Sequence, residues 1–138
     1  MQNRFIFRCF GNENSHFLQG MNELYSFECS SDDYFGNLRG SFGWTSLIAK
    51  SDLIIMQCTG LRDKNYKLIF EGDILQVAKN HLFNVIPENK KFVVVFSQYQ
   101  WWLKDGNGHY PLRDFSYRSN QNIEIIGNIY QNAELLKG

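Results

Sequence analysis

Apolar positions along this chain alternate more often than they recur at helical spacing. Phe5, Phe7 and Cys9 alternate with Ile6, Arg8 and Phe10, the period of a strand with both faces partly covered. Gly11-Asn12-Glu13-Asn14-Ser15 is a turn cluster. Phe17 to Phe27 reads as one or two short strands. Cys29 to Ser46 mixes Ser, Asp, Gly and aromatics, and is expected to form a long ordered loop or irregular edge. Leu53 to Cys58 reads as a buried strand, Asp63 to Tyr66 as a turn, and Lys67 to Phe70 as a short return strand. Gly72 punctuates the chain before a strand over Ile74–Ala78. Lys79 to Lys91 is polar, contains Pro87, and reads as a connection anchored by Phe83 and Val85.

Phe92-Val93-Val94-Val95-Phe96 is the clearest strand, β-branched and aromatic throughout. It is expected to run on through Tyr99 and Trp101. Asp105-Gly106-Asn107-Gly108 is the strongest hairpin signal, because Asp-Gly and Asn-Gly both tolerate positive φ. Tyr110 to Tyr117 would be the return leg, with Pro111 suited to an edge. Ile123 to Ile126 reads as a late strand, Gly127-Asn128 as a turn, and Ala133 to Lys137 as a terminal helical turn. Closely spaced strands with Gly-rich turns indicate a barrel or a sandwich.

Composition reinforces the β reading. The chain of 138 residues carries 12 Phe, 7 Tyr and 3 Trp, and its 43% hydrophobic content suffices for a core without staples. Lys plus Arg equals Asp plus Glu at 14 each. Residues 1–75 hold 7 basic and 9 acidic side chains, and residues 76–138 hold 7 and 5. That balance lacks the cationic footprint of a dedicated duplex binder. Cys9, Cys29 and Cys58 are an odd set without a Cys-x-x-Cys pair, so neither a disulfide framework nor a zinc site is expected, and all three read as buried thiols. Arg4 and Arg8 interrupt the apolar N-terminus, unlike a signal peptide, and no apolar run has the length to span a bilayer. The expectation is a soluble, cytoplasmic protein.

Candidate chemistry is sparse. Asp63, Glu71 and Asp73 could be imagined as a carboxylate site for a hard cation, but Asp63 and Asp73 each sit where a turn carboxylate bonds local backbone N–H groups. His16, His81 and His109 lie in separate polar segments with no nucleophile beside them. No phosphate-cradling loop or dinucleotide fingerprint occurs. The sequence therefore supports no catalytic residue, metal or cofactor. Tyr99-Gln100-Trp101-Trp102-Leu103-Lys104 is the candidate binding segment: as a strand it places Tyr99, Trp101 and Leu103 on one face and Gln100, Trp102 and Lys104 on the other. One face is expected in the core, and packing of the other against the core or the N-terminal lobe is favoured over a ligand surface. If that face is exposed, Arg113 and Arg118 nearby in sequence would suit a protein or oligomer interface, or the stacking of single-stranded bases.

Two blocks of the chain carry a resemblance. Met56-Gln57-Cys58-Thr59-Gly60-Leu61-Arg62-Asp63-Lys64-Asn65, followed by Ile69-Phe70-Glu71-Gly72-Asp73-Ile74, resembles the signature of the YopX family of phage and prophage proteins. Ile123-Glu124-Ile125-Ile126-Gly127-Asn128-Ile129-Tyr130-Gln131-Asn132-Ala133-Glu134-Leu135-Leu136 resembles that family's ending, and Arg4-Phe5-Ile6-Phe7-Arg8 its opening. Tyr66 departs from the pattern, which has Gly after Asn, and a longer or differently typed turn is expected there. Ala133 replaces the usual Pro. The resemblance implies a small β-rich protein of mobile phage genomes, cytoplasmic after infection, with no assigned catalytic residues to carry over.

Together these readings give one all-β chain: an N-terminal β lobe over residues 1–50, a small, strongly bent SH3-like β-barrel over 51–138, and a short C-terminal helical turn. Gly60, Asp63, Gly72, Asp73, Gly127 and Asn128 are expected to shape the scaffold. Tyr99, Trp101, Trp102, Lys104, Arg113 and Arg118 are the candidate binding residues. The expected role is a non-enzymatic accessory module that binds a phage or host protein, with homo-oligomerisation open and single-stranded nucleic acid as the rival ligand.

Overall fold

A computed structural model describes residues 7–77, 90–113 and 123–137. Antiparallel β structure dominates them. Eleven strands are formed by β1 (Phe7–Gly11), β2 (Gly20–Cys29), β3 (Tyr34–Gly40), β4 (Gly43–Ala49), β5 (Leu53–Arg62), β6 (Leu68–Phe70), β7 (Asp73–Val77), β8 (Lys90–Ser97), β9 (Gln100–Asp105), β10 (Gly108–Pro111) and β11 (Ile123–Asn128). Short 3-10 helices cover Glu13–Leu18 and Ala133–Leu136, the second being the terminal turn that the sequence indicates. The strands make two sheets, ordered β4-β3-β2-β1-β5-β6 and β10-β9-β8-β7-β11. The barrel expected from about residue 51 is not closed among the described residues: both sheets are open, and β10 is a four-residue edge strand ending in Pro111, which has no N–H to extend a ladder.

Contacts divide the chain into two compact units, Met1–Cys58 and Thr59–Gly138. The expected lobe ended at residue 50, whereas the first unit runs on through the first half of β5, because Ile54 to Gln57 pair with Phe10 to Phe7. The core of this unit is Cys9, Leu18, Leu24, Leu38 and Leu53, ringed by Phe7, Phe27, Phe35, Phe42, Ile48 and Ile55. Phe27 meets both Phe7 and Phe35 edge to face, at 5.2 and 5.9 Å between ring centres.

Of the two expectations for Cys29 to Ser46, the loop fails and the edge holds: most of it belongs to the β3–β4 hairpin and the end of β2, and β4 is an edge strand. Two glycines of this segment, Gly36 and Gly40, mark close approach, while Gly43 takes the positive φ of 105° at the hairpin turn. A Cβ on Gly40 would collide with the Glu23 carbonyl, and one on Gly36 with the Ser30 hydroxyl. Asn37 takes a left-handed φ of 47° and breaks the alternation that would have revealed β3.

The second unit packs around Ile69, Leu75, Val77, Phe92, Val94, Leu103, Leu112 and Ile123, all essentially inaccessible to water. Burying a side chain such as Phe92 contributes about 2–3 kcal/mol. The strand over Phe92–Phe96 ends at Ser97 and does not run on to Trp101. Ser97 pairs with Gln100, so Gln98 and Tyr99 form a two-residue turn with φ of 50° and 66°. Positive φ at both positions is the hairpin turn that matches strand twist, normally made by Asn and Gly. The Asp105–Gly108 hairpin does form, but neither Gly106 nor Asn107 has positive φ. The Asp105 carboxylate holds it instead, accepting the N–H of Asn107 and Gly108 at 2.8 and 2.9 Å.

Candidate functional site

Alternation along β8 and β9 decides which side chains the second sheet leaves outside. Phe92, Val94, Trp101 and Leu103 point into the core, so Val93 and Val95 on β8 and Trp102 and Lys104 on β9 share the opposite face. The register places Val95 opposite Trp102 and Val93 opposite Lys104. On the other side of β9, His109 lies opposite Lys104 and Pro111 opposite Trp102. The result is a half-buried apolar band carrying cationic groups at Lys91 and Lys104 and an imidazole at His109.

Trp102 is fixed within this band. Its indole Nε1–H donates to the Ser97 carbonyl at 2.8 Å, and its ring meets the His109 ring edge to face at 4.7 Å. Val95, Ser97, Gln98, Trp102, Lys104 and His109 enclose a concavity of about 170 Å³, below the usual size of a small-molecule site. A second, mainly apolar depression of about 320 Å³ adjoins it, with Lys104 in both walls and Leu136 of the terminal 3-10 helix at its rim. Lys90 pairs with Asp105 at 3.2 Å. Burial pushes the Asp105 carboxyl up, but the Asn107 N–H, the Lys90 ammonium and the Gly108 N–H together hold it below its ordinary value.

The sequence-indicated binding residues therefore separate. Trp102 and Lys104 lie together on the outer face. Trp101 belongs to the core side, against Phe96 at 5.0 Å between ring centres. Tyr99 stands at the hairpin tip, 97% exposed, rather than on a strand. Arg113 is exposed just beyond β10, and Arg118 lies outside the described residues. His109 was not singled out from the sequence as a binding residue, although a two-residue hairpin at Gly106-Asn107 would have placed it opposite Lys104. Among the described residues no three His, Cys, Asp or Glu side chains cluster to hold a metal ion, and no helix is long and apolar enough to cross a membrane.

The conspicuous carboxylates do other work. Asp63 is fully buried; its Oδ1 accepts the N–H of Asn65 and Lys67 at 2.9 and 3.0 Å, and its Oδ2 accepts the N–H of Ile125 at 3.0 Å. Lys64 N–H donates to the Ile123 carbonyl at 2.9 Å, so the turn after β5 docks along the edge of β11. Asp73 Oδ2 accepts the Phe70 N–H at 2.8 Å, tightening the turn at Gly72, whose φ is 87°. Gly72 N–H donates to Val94 and its carbonyl accepts from Ile129, both at 2.9 Å. Gly60, with φ of 82°, kinks β5. At Gly127 a Cβ would stand 2.7 Å from the Asn132 side chain, and Asn128 Oδ1 accepts the N–H of Tyr130 and Gln131 at 3.0 and 2.9 Å.

These interlocking turns are the residues of the two sequence blocks, and the YopX protein family model matches residues 6–137. The chain belongs to the YopX family. Within the family pattern, Tyr66 takes the place of glycine and adopts φ of 68°. Only this position of the turn is left-handed: Tyr66 N–H closes on the Asp63 carbonyl at 3.0 Å, and Asp63 N–H on Lys67 at 2.9 Å. Arg62 holds Tyr66 in place, donating to its carbonyl at 2.7 Å with the guanidinium 5.6 Å from the ring centre. Ala133, where the pattern has proline, still begins the terminal 3-10 helix. The crystal structure of protein EF1440 from Enterococcus faecalis is similar in fold, with a TM-score of 0.56 at 22% identity over 95% of this chain and 96% of that one. No curated protein matches the chain.

Proposed function

We propose that this YopX-family chain is a non-enzymatic phage or prophage accessory protein that works in the bacterial cytoplasm by binding another protein. The outer face of the second sheet is its binding surface. One observation carries the reading: Trp102 is preset, its N–H satisfied by Ser97, in an apolar band flanked by Lys104 and His109. A rigid aromatic beside the Lys104 ammonium is the composition of an interface anchor, and the small concavity of about 170 Å³ beside Trp102 favours a broad partner over a small substrate. Lys91 and Lys104 favour an acidic partner surface.

The test compares capture from lysate of an infected host by the wild-type chain and by the Trp102→Ala and Lys104→Glu variants. Proteins retained by the wild type and lost from both variants are expected; an unchanged captured set overturns the reading. The rival reading, single-stranded nucleic acid, draws on Tyr99, whose exposed ring is available for stacking. It is weakened by Trp101 facing the core. Anisotropy of a labelled single-stranded oligonucleotide at low salt, where electrostatic affinity is greatest, separates the two: binding that disappears with Tyr99→Ala and Trp102→Ala assigns the surface to nucleic acid.

A further inference from the structure

Sheet edges are where a β protein is open to other chains, and this one treats its edges unequally. The edge of β11 is occupied by the turn after β5, through Lys64 N–H on the Ile123 carbonyl and Ile125 N–H on the Asp63 carboxylate. The edge strand β10 has four residues and ends in proline, and β6 has three. β4 is different. It is an edge strand of seven residues, Gly43-Trp44-Thr45-Ser46-Leu47-Ile48-Ala49, paired only with β3 among the described residues. It contains no charge and no proline, the devices that normally blunt an edge. Trp44 and Leu47 are 55% and 58% exposed along it.

We propose that β4 pairs edge to edge with β4 of a second copy of this chain, antiparallel about a two-fold axis. The occupant follows from the backbone and the charge. A row of unpaired N–H and C=O groups recruits an extended strand, not a helix or a lipid surface. The uncharged side chains select against neither sign, and a chain with no net charge does not repel its own copy. An antiparallel pair centred on Ser46 is self-complementary: Trp44 faces Ile48 of the second copy, and Thr45 faces Leu47, so aromatic meets β-branched and like charges never oppose. This pairing involves the first unit and is independent of the surface assigned to Trp102.

The experiment uses the full-length chain in sedimentation equilibrium and light scattering. Wild type is expected as a dimer whose mass halves on dilution. A Thr45→Lys/Leu47→Lys variant is expected to be monomeric, as is a Thr45→Glu/Leu47→Glu variant, and an equimolar mixture of the two to recover the dimer mass, whatever the register. Both positions lie partly or largely in solvent, so the fold is expected to persist, checked by unchanged far-ultraviolet circular dichroism. A wild-type chain that stays monomeric at high concentration, one that grows beyond a dimer, or a mixture that does not reassociate overturns the proposal. Loss of the dimer with retained protein capture, or the reverse, separates this inference from the one concerning Trp102.

Discussion

Asp63 shows how much structure one side chain organises. It is a buried carboxylate whose two oxygens accept three backbone N–H groups from two segments far apart in sequence. Asp63→Ala leaves those donors without their acceptor inside the protein, and removing a partner from a buried polar group costs more than the bond contributes. A loss of about 3–4 kcal/mol is expected, read as a lower urea midpoint with unchanged slope. A loss below about 1 kcal/mol would show that the turn closes without the carboxylate. The sequence indicated a turn carboxylate here, because an Asp just before Lys-Asn has that local geometry open to it. It did not indicate the bond to Ile125, since nothing local connects residues so distant. Tyr66 is the complementary case: the missing glycine flagged an unusual turn, but only the structure shows Arg62 holding a bulky residue in the left-handed region.

At the scale of elements, the two β-hairpins of the second sheet invert what their sequences suggest. Asp105-Gly106-Asn107-Gly108 has the residues for positive φ and does not use it, whereas Gln98-Tyr99 has residues unsuited to positive φ and adopts it twice. The tertiary requirement prevails: β8 and β9 face Val94 and Leu103 into one core, and the ladder in that register runs on to Ser97 and Gln100, leaving two residues for the turn. Replacing Gln98→Asn and Tyr99→Gly together relieves the strain and is expected to stabilise the protein by about 1–2 kcal/mol in chemical denaturation. No gain would mean that Gln98 or Tyr99 makes compensating contacts. The same inversion explains why the sequence from Phe92 to Trp101 reads as one continuous strand. Period-two alternation carried straight across the turn, and turn propensity gave no warning. In the first unit the reverse happened: Gly36 and Gly40 concealed the β3–β4 hairpin, because there they permit close approach of neighbouring atoms instead of breaking the strand.

Across the whole molecule, all-β character and family membership were legible from aromatic, β-branched and turn patterns; closure of the strands was not, since edge pairing leaves no local signature. The first core carries a response to alkaline pH. Cys9 sits at the centre of that core, where burial raises its thiol from 9.0 to about 11. The unfolded chain releases this proton near pH 9 and the folded one only near 11, so stability conferred by the neutral thiol is complete below 9 and is lost as pH rises through that interval. Denaturation at pH 10.5 against pH 8 should cost the wild type about 2 kcal/mol more than it costs Cys9→Ala. Equal losses would place the alkaline sensitivity elsewhere. Cys29, exposed at the end of β2, and the half-buried Cys58 differ from Cys9, so the three thiols are not uniformly buried as their sequence suggested.

Strand β1 precedes both of its partners in sequence and is an interior strand of its sheet, with Phe7 opposite Leu24 on one side and Gln57 on the other. At ordinary translation rates the fifty residues separating Phe7 from Gln57 take about 3–10 seconds to make. Until β5 is available, a hairpin of β1 and β2 would have the β5-facing flank of β1 uncovered. The interior place of β1 therefore ties completion of the first sheet to a segment made some fifty residues later, however early β1 and β2 pair.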